Sequence, residues 1–189
     1  AAQRGHAARL GQALEAGASI VNVIKGPSAN IRILKDTACF KAGLVLMHMR
    51  GTPRTMQART RYRDVVADVK AELRKALAHC RACGIKKANI VVDPGIGFAK
   101  TVDQNLVLLR RLKEFSSLGY PVLIGTSRKS FIGKTLGLDV HERLMGTAAT
   151  VALGVAAGAS IIRVHDVKAM KQVALMAHAV INGGKGIRP

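Results

Sequence analysis

The sequence has no tryptophan, and aromatic residues make up only 3% of it. Its core must therefore be aliphatic and alanine-rich, and the chain lacks the stacked-aromatic signature of an RNA-binding surface. Three cysteines (Cys39, Cys80 and Cys83) are too few for a disulfide framework. Cys80 and Cys83 form a C-x-x-C, but it falls at the C-terminal end of a predicted helix, where the dipole disfavours thiolate. Zinc would need two further ligands and only His79 is near, so the pair reads as ordinary reduced thiols. No apolar run reaches the ~20 residues that a membrane span needs. The start of the chain lacks the apolar stretch of a secretory signal.

Carboxylates are scarce as well. Eleven Asp and Glu face thirty Lys and Arg, giving a net charge of +19 and a pI near 10.8. Such an excess favours anionic partners, phosphorylated substrates first, and a basic solvated surface accounts for the remainder. The chain shows no dimeric basic-helix pattern of a DNA reader, so nucleic acid is kept only as a minor alternative partner. At 189 residues with 49% hydrophobic content, the chain is expected to fold as one domain over 1–189. The basic, acid-poor start (Gln3, Arg4, His6, Arg9) has a faint likeness to an organelle transit peptide. A chain that opens inside an element gives the same residues more simply.

Five segments read as short buried strands, at 19–24, 44–49, 89–93, 121–126 and 160–165. They are continuous Val, Ile, Leu and Met runs, as buried parallel strands are. Helical periodicity is expected over 7–16, 64–83, 104–115, 142–157 and 168–181. A glycine precedes each strand (Gly17, Gly43, Gly84, Gly119, Gly158), suited to the left-handed residue that closes a helix. The grammar is partly literal, since Ala-Gly-Ala-Ser-Ile-Val-Asn-Val at 16–23 nearly repeats as Ala-Gly-Ala-Ser-Ile-Ile-Arg-Val at 157–164. Superposing the copies sets Asn22 and Arg163 at the same depth near a strand's end. Repeated helix–turn–strand units predict a parallel α/β fold. Two architectures fit: an open doubly wound sheet, or a (β/α)8 barrel lacking its first three units. The helix leading directly into the first strand favours the second.

In such folds the strand C-termini carry the chemistry. Asp93 ends an apolar run and precedes Pro-Gly-Ile-Gly-Phe. It can accept paired N–H groups from a guanidine-like heterocyclic edge, or simply cap the turn. Gly95–Lys100 lacks the third glycine of a dinucleotide fingerprint, and Gly133-Lys134-Thr135 lacks the leading glycine of a P-loop, its place being Arg128. The stretch Gly125–Ser130 offers backbone N–H groups with Arg128 and Lys129 as cations, or is an exposed basic loop. Arg163 and His165 alternate onto one face, where a guanidinium fork and an imidazole suit phosphate. Asp166 points the other way and reads as an N-cap for the last helix. Met47 and Met49 could wall an aromatic ligand, with His48 turned away, and the arginine-rich segment 50–63 reads as a solvated loop.

Four stretches together resemble the dihydropteroate synthase family: Met-His-Met-Arg-Gly-Thr-Pro-Arg-Thr-Met-Gln (47–57), Asp-Pro-Gly-Ile-Gly-Phe (93–98), Gly-Thr-Ser-Arg-Lys-Ser-Phe-Ile-Gly (125–133) and Ile-Arg-Val-His-Asp-Val (162–167). The likeness runs from about Ala13 to Val180. It implies a TIM (β/α)8-type barrel, here its C-terminal five βα units. It also implies condensation of 6-hydroxymethyl-7,8-dihydropterin diphosphate with p-aminobenzoate, releasing pyrophosphate, as the sulfonamide-targeted step of folate synthesis.

By the same resemblance, Asn22 and Asp93 hold the amino-pyrimidine edge, and Met47, Gly97, Phe98 and Gly125 line the pterin slot. Lys129 bonds the ring carbonyl and nitrogen, and Arg163 stacks on the ring. Arg163 and His165 bind the diphosphate, Ser127 lies near p-aminobenzoate, and Mg2+ accompanies the diphosphate. Lys129, Arg163 and His165 are the catalytic candidates. The resemblance also implies a cytoplasmic enzyme (an organelle is the other setting), with a homodimer as a further expectation and no membrane. The chain departs from the family in three ways. The first three strands, with an Asn that meets metal, a Thr-Arg loop over p-aminobenzoate and a pterin-binding Asp, are not among the five segments. That Asp would fall near Gln3. Val23 stands where the family usually has Asp. The alternatives are a non-catalytic pterin- or phosphate-binding module and a pterin-dependent methyltransferase on the same barrel.

Overall fold

The computed structural model describes residues 2–24 and 29–183, with side chains from Arg9 onward. The side chain of Gln3 lies outside the described residues. Five strands alternate with helices: α1 (Ala2–Glu15), β1 (Ile20–Val23), α2 (Ile31–Cys39), β2 (Gly43–Met47), α3 (Val65–Ala82), β3 (Ile90–Asp93), α4 (Val102–Arg110), β4 (Leu123–Ile124), α5 (Ser130–Leu136), α6 (Leu144–Ala156), β5 (Ile161–Ile162) and α7 (Val167–Ile181). All pairings are parallel. β1–β2–β3 form one sheet and β4–β5 a second, and a Val92–Val122 bridge joins them. Spatial order thus follows chain order with no reversal. A doubly wound sheet requires a reversal of strand order at its switch point, so that alternative falls.

Local chemistry explains the element limits. Asp64 caps α3 by accepting the Val66 and Ala67 amides at 2.8 and 2.9 Å. Thr101 and Gln104 form a reciprocal capping box at α4, each satisfying a donor that the helix start leaves orphaned. The expected helix 104–115 is instead two pieces, α4 and a 3-10 helix at Leu112–Leu118. The Arg111 amide bonds the Val107 carbonyl as the last α-type bond, and the guanidinium of Arg111 reaches Asp64 and Glu114. Four of the five marker glycines have left-handed φ; Gly43 does not, because Lys41 takes that conformation (φ 53) and Gly43 already begins β2. Helices α2 and α5 were not among the expected ones.

The core lies between strands and helices. Leu44, Leu46, Ile90, Val92 and Ile124 from the sheets meet Leu34, Val66, Leu73, Leu108 and Phe115 from the helical layer, all at 1% exposure or less. Burying Phe115 alone contributes roughly 2–3 kcal/mol by area. Cys80 belongs to this core, and burial pushes its thiol up to about 11, the opposite of a reactive cysteine. The edges differ from the centre. On β1 Val21 and Val23 are buried while Ile20 and Asn22 are exposed, and Ile161 on β5 is exposed too. Among the described residues no helix is long and apolar enough to cross a membrane.

Candidate functional site

The strand C-termini converge on a cavity of about 230 Å3. Its wall comprises Asn22 from β1 and Ile24 just after it, Met47 from β2, Asp93 and Phe98 from the β3 end, Gly125, Ser127 and Lys129 after β4, and Arg163 and His165 after β5. The sequence candidates are thereby brought together except Gly97, which lines a neighbouring polar cavity of about 450 Å3. Ile24 is an addition. It directly follows β1, two residues after Asn22, so extending the strand alternation by one residue could have found it.

Asp93 is placed by register, opposite Met47 in the parallel ladder. Its backbone carbonyl takes the His48 amide at 2.9 Å. Its Oδ1 accepts the Gly95 amide at 2.7 Å, which is the turn-cap role. The same residue also lines the cavity. Burial raises its pKa, while the Gly95 amide and the cations Lys129, Lys100 and Arg163 oppose the rise.

The loop after Asp93 needs its two glycines. Gly95 has φ +70, and a Cβ there would run into the His48 carbonyl oxygen. Gly97 has φ +83, and a Cβ would meet the Lys129 Cδ at 2.6 Å, because the lysine chain lies across this residue. Only glycine takes both the conformation and the contact. Lys129 thereby reaches the Ile96 carbonyl and holds its ammonium 4.1 Å over the Phe98 ring. Its pKa falls to about 8 as burial outweighs the attraction of Asp93, with Arg163 adding repulsion.

At the opposite wall Ser127 Oγ accepts the His165 amide at 3.2 Å and lies 2.9 Å from the ring Nδ1. An oxygen already accepting one hydrogen bond is free to donate its own proton to Nδ1. The imidazole then carries its hydrogen on Nε2, where it can be given to an anion. Arg163 stands beside Gly125, whose missing Cβ leaves space 3.9 Å from the Arg163 Cβ.

Two assignments change. Arg128 does not extend toward a ligand; its guanidinium forks onto Asp166 at 2.9 and 2.6 Å. Asp166 occupies the N-cap position of α7, but its side chain caps no amide there. The bidentate pair, stronger than a single neutral bond, claims both side chains. Beneath the cavity lies a group that motif reading passes over. His48 is fully buried, with Nε2 3.0 Å from Glu72 and Nδ1 3.2 Å from the Lys100 ammonium. Arg50 also holds Glu72, at 2.8 Å through Nε, and stacks 3.9 Å over Tyr62. Arg50 is therefore structural, whereas Arg54, Arg59, Arg61 and Arg63 are exposed, as a solvated loop requires.

Comparison with known proteins agrees with this layout. Residues 6–165 match the model of the pterin binding enzyme family. The chain is 48% identical to the dihydropteroate synthase of Synechocystis over 89% of its own length and 59% of that enzyme's. Two structures of the Thermus thermophilus dihydropteroate synthase are each 39% identical and cover 92% of this chain. One, in complex with 4-aminobenzoate, has a TM-score of 0.86 and is covered over 71% of its length; the other, in complex with 6HMPPP, has 0.87 and 69%. The chain spans about three fifths of the length of the curated relatives it matches. Its fold is α/β of the TIM-barrel type seen in these structures. On the strand-end motifs, the cavity they build and these matches, the chain belongs to the pterin binding enzyme family, and within it is similar to the dihydropteroate synthases.

Proposed function

We propose that this chain carries the pterin- and diphosphate-binding part of a dihydropteroate synthase, joining 6-hydroxymethyl-7,8-dihydropterin diphosphate to p-aminobenzoate. The observation that carries the reading is the single cavity uniting a buried carboxylate, Asp93, with Lys129, Arg163 and His165 between the apolar walls Met47 and Phe98. Asp93 Oδ2 accepts from the amino-pyrimidine edge, with Asn22 beside it. Lys129 donates to the ring carbonyl and nitrogen, and Gly97 gives it room to do so. Met47 and Phe98 sandwich the ring, and Gly125 lets the backbone approach it. Arg163 and the Nε2–H of His165 receive the diphosphate. The methylene C–O bond breaks with its electron pair leaving on the pyrophosphate; the arylamine nitrogen then bonds to the methylene carbon and gives up a proton. The chain's part is positioning and charge stabilisation of the departing anion. Ser127, by fixing the His165 ring, stands between the two substrates' ends.

Among the described residues no cluster of three or more His, Cys, Asp or Glu side chains could hold a metal ion. In this reading magnesium enters with the diphosphate as part of the substrate. We read the five strands as the last five of an eight-unit barrel. Ile20 and Ile161, exposed on the face that a barrel packs with side chains, support this, as does the share of the relatives' length that is spanned. A homodimer fits the apolar groove between α6 and α7, about 630 Å3 and lined by Leu153, Val173, Met176 and Val180. Free thiols at Cys39, Cys80 and Cys83 suit the cytoplasm.

Titration calorimetry with the pterin diphosphate tests the binding claim, and absence of heat would sink it. Condensation with labelled p-aminobenzoate tests turnover separately. Sedimentation of the protein at increasing concentration, with Met176→Glu as the disrupting variant, tests the dimer.

A further inference from the structure

Lys100 is 4% exposed; it is not part of the wall of the strand-end cavity and instead lines the neighbouring polar one. Its ammonium donates to three acceptors: the Gly95 carbonyl at 2.9 Å, the Phe98 carbonyl at 2.8 Å and His48 Nδ1 at 3.2 Å. An ammonium has three protons, so every donor is used. The acceptor on His48 exists only because Glu72 takes the Nε2–H on the far side of the ring. Arg50, in turn, holds Glu72. A chain of bonds thus runs from α3, through the end of β2, into the loop between β3 and α4. The two carbonyls it ends on bracket Ile96, whose own carbonyl receives Lys129. Gly97, between them, is fixed from the other side by Asn105, which takes its amide at 2.6 Å.

We propose that Lys100 is a positioning residue for the pterin end of the cavity, shaping loop 95–98 so that Asp93, Phe98 and Lys129 present their ligand-binding groups. This rests on the pterin-binding reading above, and it assigns a role to a residue that does not touch the ligand. The titratable and charged groups near Lys100 are His48 just after β2, Glu72 on α3, Arg50, Asp93 and Lys129. Burial holds its pKa down to about 7, with Lys129 and Arg50 adding to the fall and Asp93 and Glu72 resisting it.

The test compares Lys100→Met with wild type in two measurements. Hydrogen exchange on the free protein reads the loop directly: the Gly95, Gly97 and Phe98 amides should exchange about tenfold faster or more, while β2 and β3 amides keep their rates. Binding reads the consequence. Affinity for 6-hydroxymethylpterin should fall about tenfold or more, since small misplacements of positioned groups cost this much. Affinity for inorganic pyrophosphate, held at the β5 end, should stay within about twofold. Lys100→Gln is read in the same way should the methionine variant not fold. Unchanged loop exchange, or equal losses for both ligands, overturns the proposal. A wild-type protein that binds no pterin, yet shows the exchange effect on substitution, refutes the pterin reading and leaves the loop role standing.

Discussion

The two sides of the cavity are built on opposite principles. At the β2–β3 side the polar groups are sunk in the protein: His48, Asp93 and Lys100 are at 7% exposure or less, each with a hydrogen-bond partner. At the β1–β5 side Asn22, Arg163 and His165 are exposed, and among the described residues His165 alone of the three has a side-chain bond, to Ser127. The first side has its geometry fixed before any ligand arrives, at the cost of desolvating three ionisable groups. The second keeps its donors hydrated and available for an anion. Stability and binding should therefore separate by position.

Gly95→Ala strikes the fixed side hardest. It combines a left-handed φ with a clash against the His48 carbonyl, and should cost roughly 4 kcal/mol in chemical denaturation. A loss below about 1 kcal/mol would mean the loop can be rebuilt and the contrast is overdrawn.

The pH dependence of stability comes next. Lys100 falls to about 7 and Lys129 to about 8 from 10.5. Between these values and 10.5 the unfolded chain binds more protons than the folded one, so stability rises with pH from about 7. Above pH 10 the trend turns, because Tyr62, pushed up to about 12 by burial, stays protonated only when folded. Denaturation midpoints from pH 6 to 10 should show the rise, at up to about 1.4 kcal/mol per pH unit for each lysine above its folded value, and Lys100→Met should remove the larger share. A flat profile would place Lys100 in a wetter setting than its three bonds suggest.

Arg163→Ala probes the other side. Stability should change by no more than about 0.5 kcal/mol, while affinity for the pterin diphosphate falls about tenfold to a hundredfold, as loss of a charge-assisted contact would give. A large stability loss would erase the distinction between the sides. Asp166→Ala is the mildest test. It frees Arg128 from a partly exposed pair and should cost about 1 kcal/mol or less.

The sequence made the strands visible because buried parallel strands are unbroken aliphatic runs, and it made Asp93, Arg163 and His165 visible because polar residues interrupt those runs. What it hid has a common cause. Glu72 reads as one more helical carboxylate until His48, 24 residues earlier, is found against it. Lys100 reads as a surface cation at the end of a glycine loop, and its burial depends on a histidine 52 residues away. Arg128 and Asp166 each had a sensible local role, and a contact across 38 residues overrode both. Helix α2 is a different case: Asn30 accepts the Arg32 amide as a cap, a local signal that was present and passed over. Gly43 shows the limit of a repeat, since four turns follow the glycine rule and the fifth uses Lys41.

The bonds from Ser127 to His165 and from Arg128 to Asp166 have a kinetic consequence. Two adjacent residues on one loop are fastened to two residues on another, like a double clasp. Neither loop can swing away while the other stays, so the β4 and β5 ends share one opening equilibrium. Relaxation measured at Ser127 and at His165 would then report a single rate, and a ligand gripping either loop would slow both.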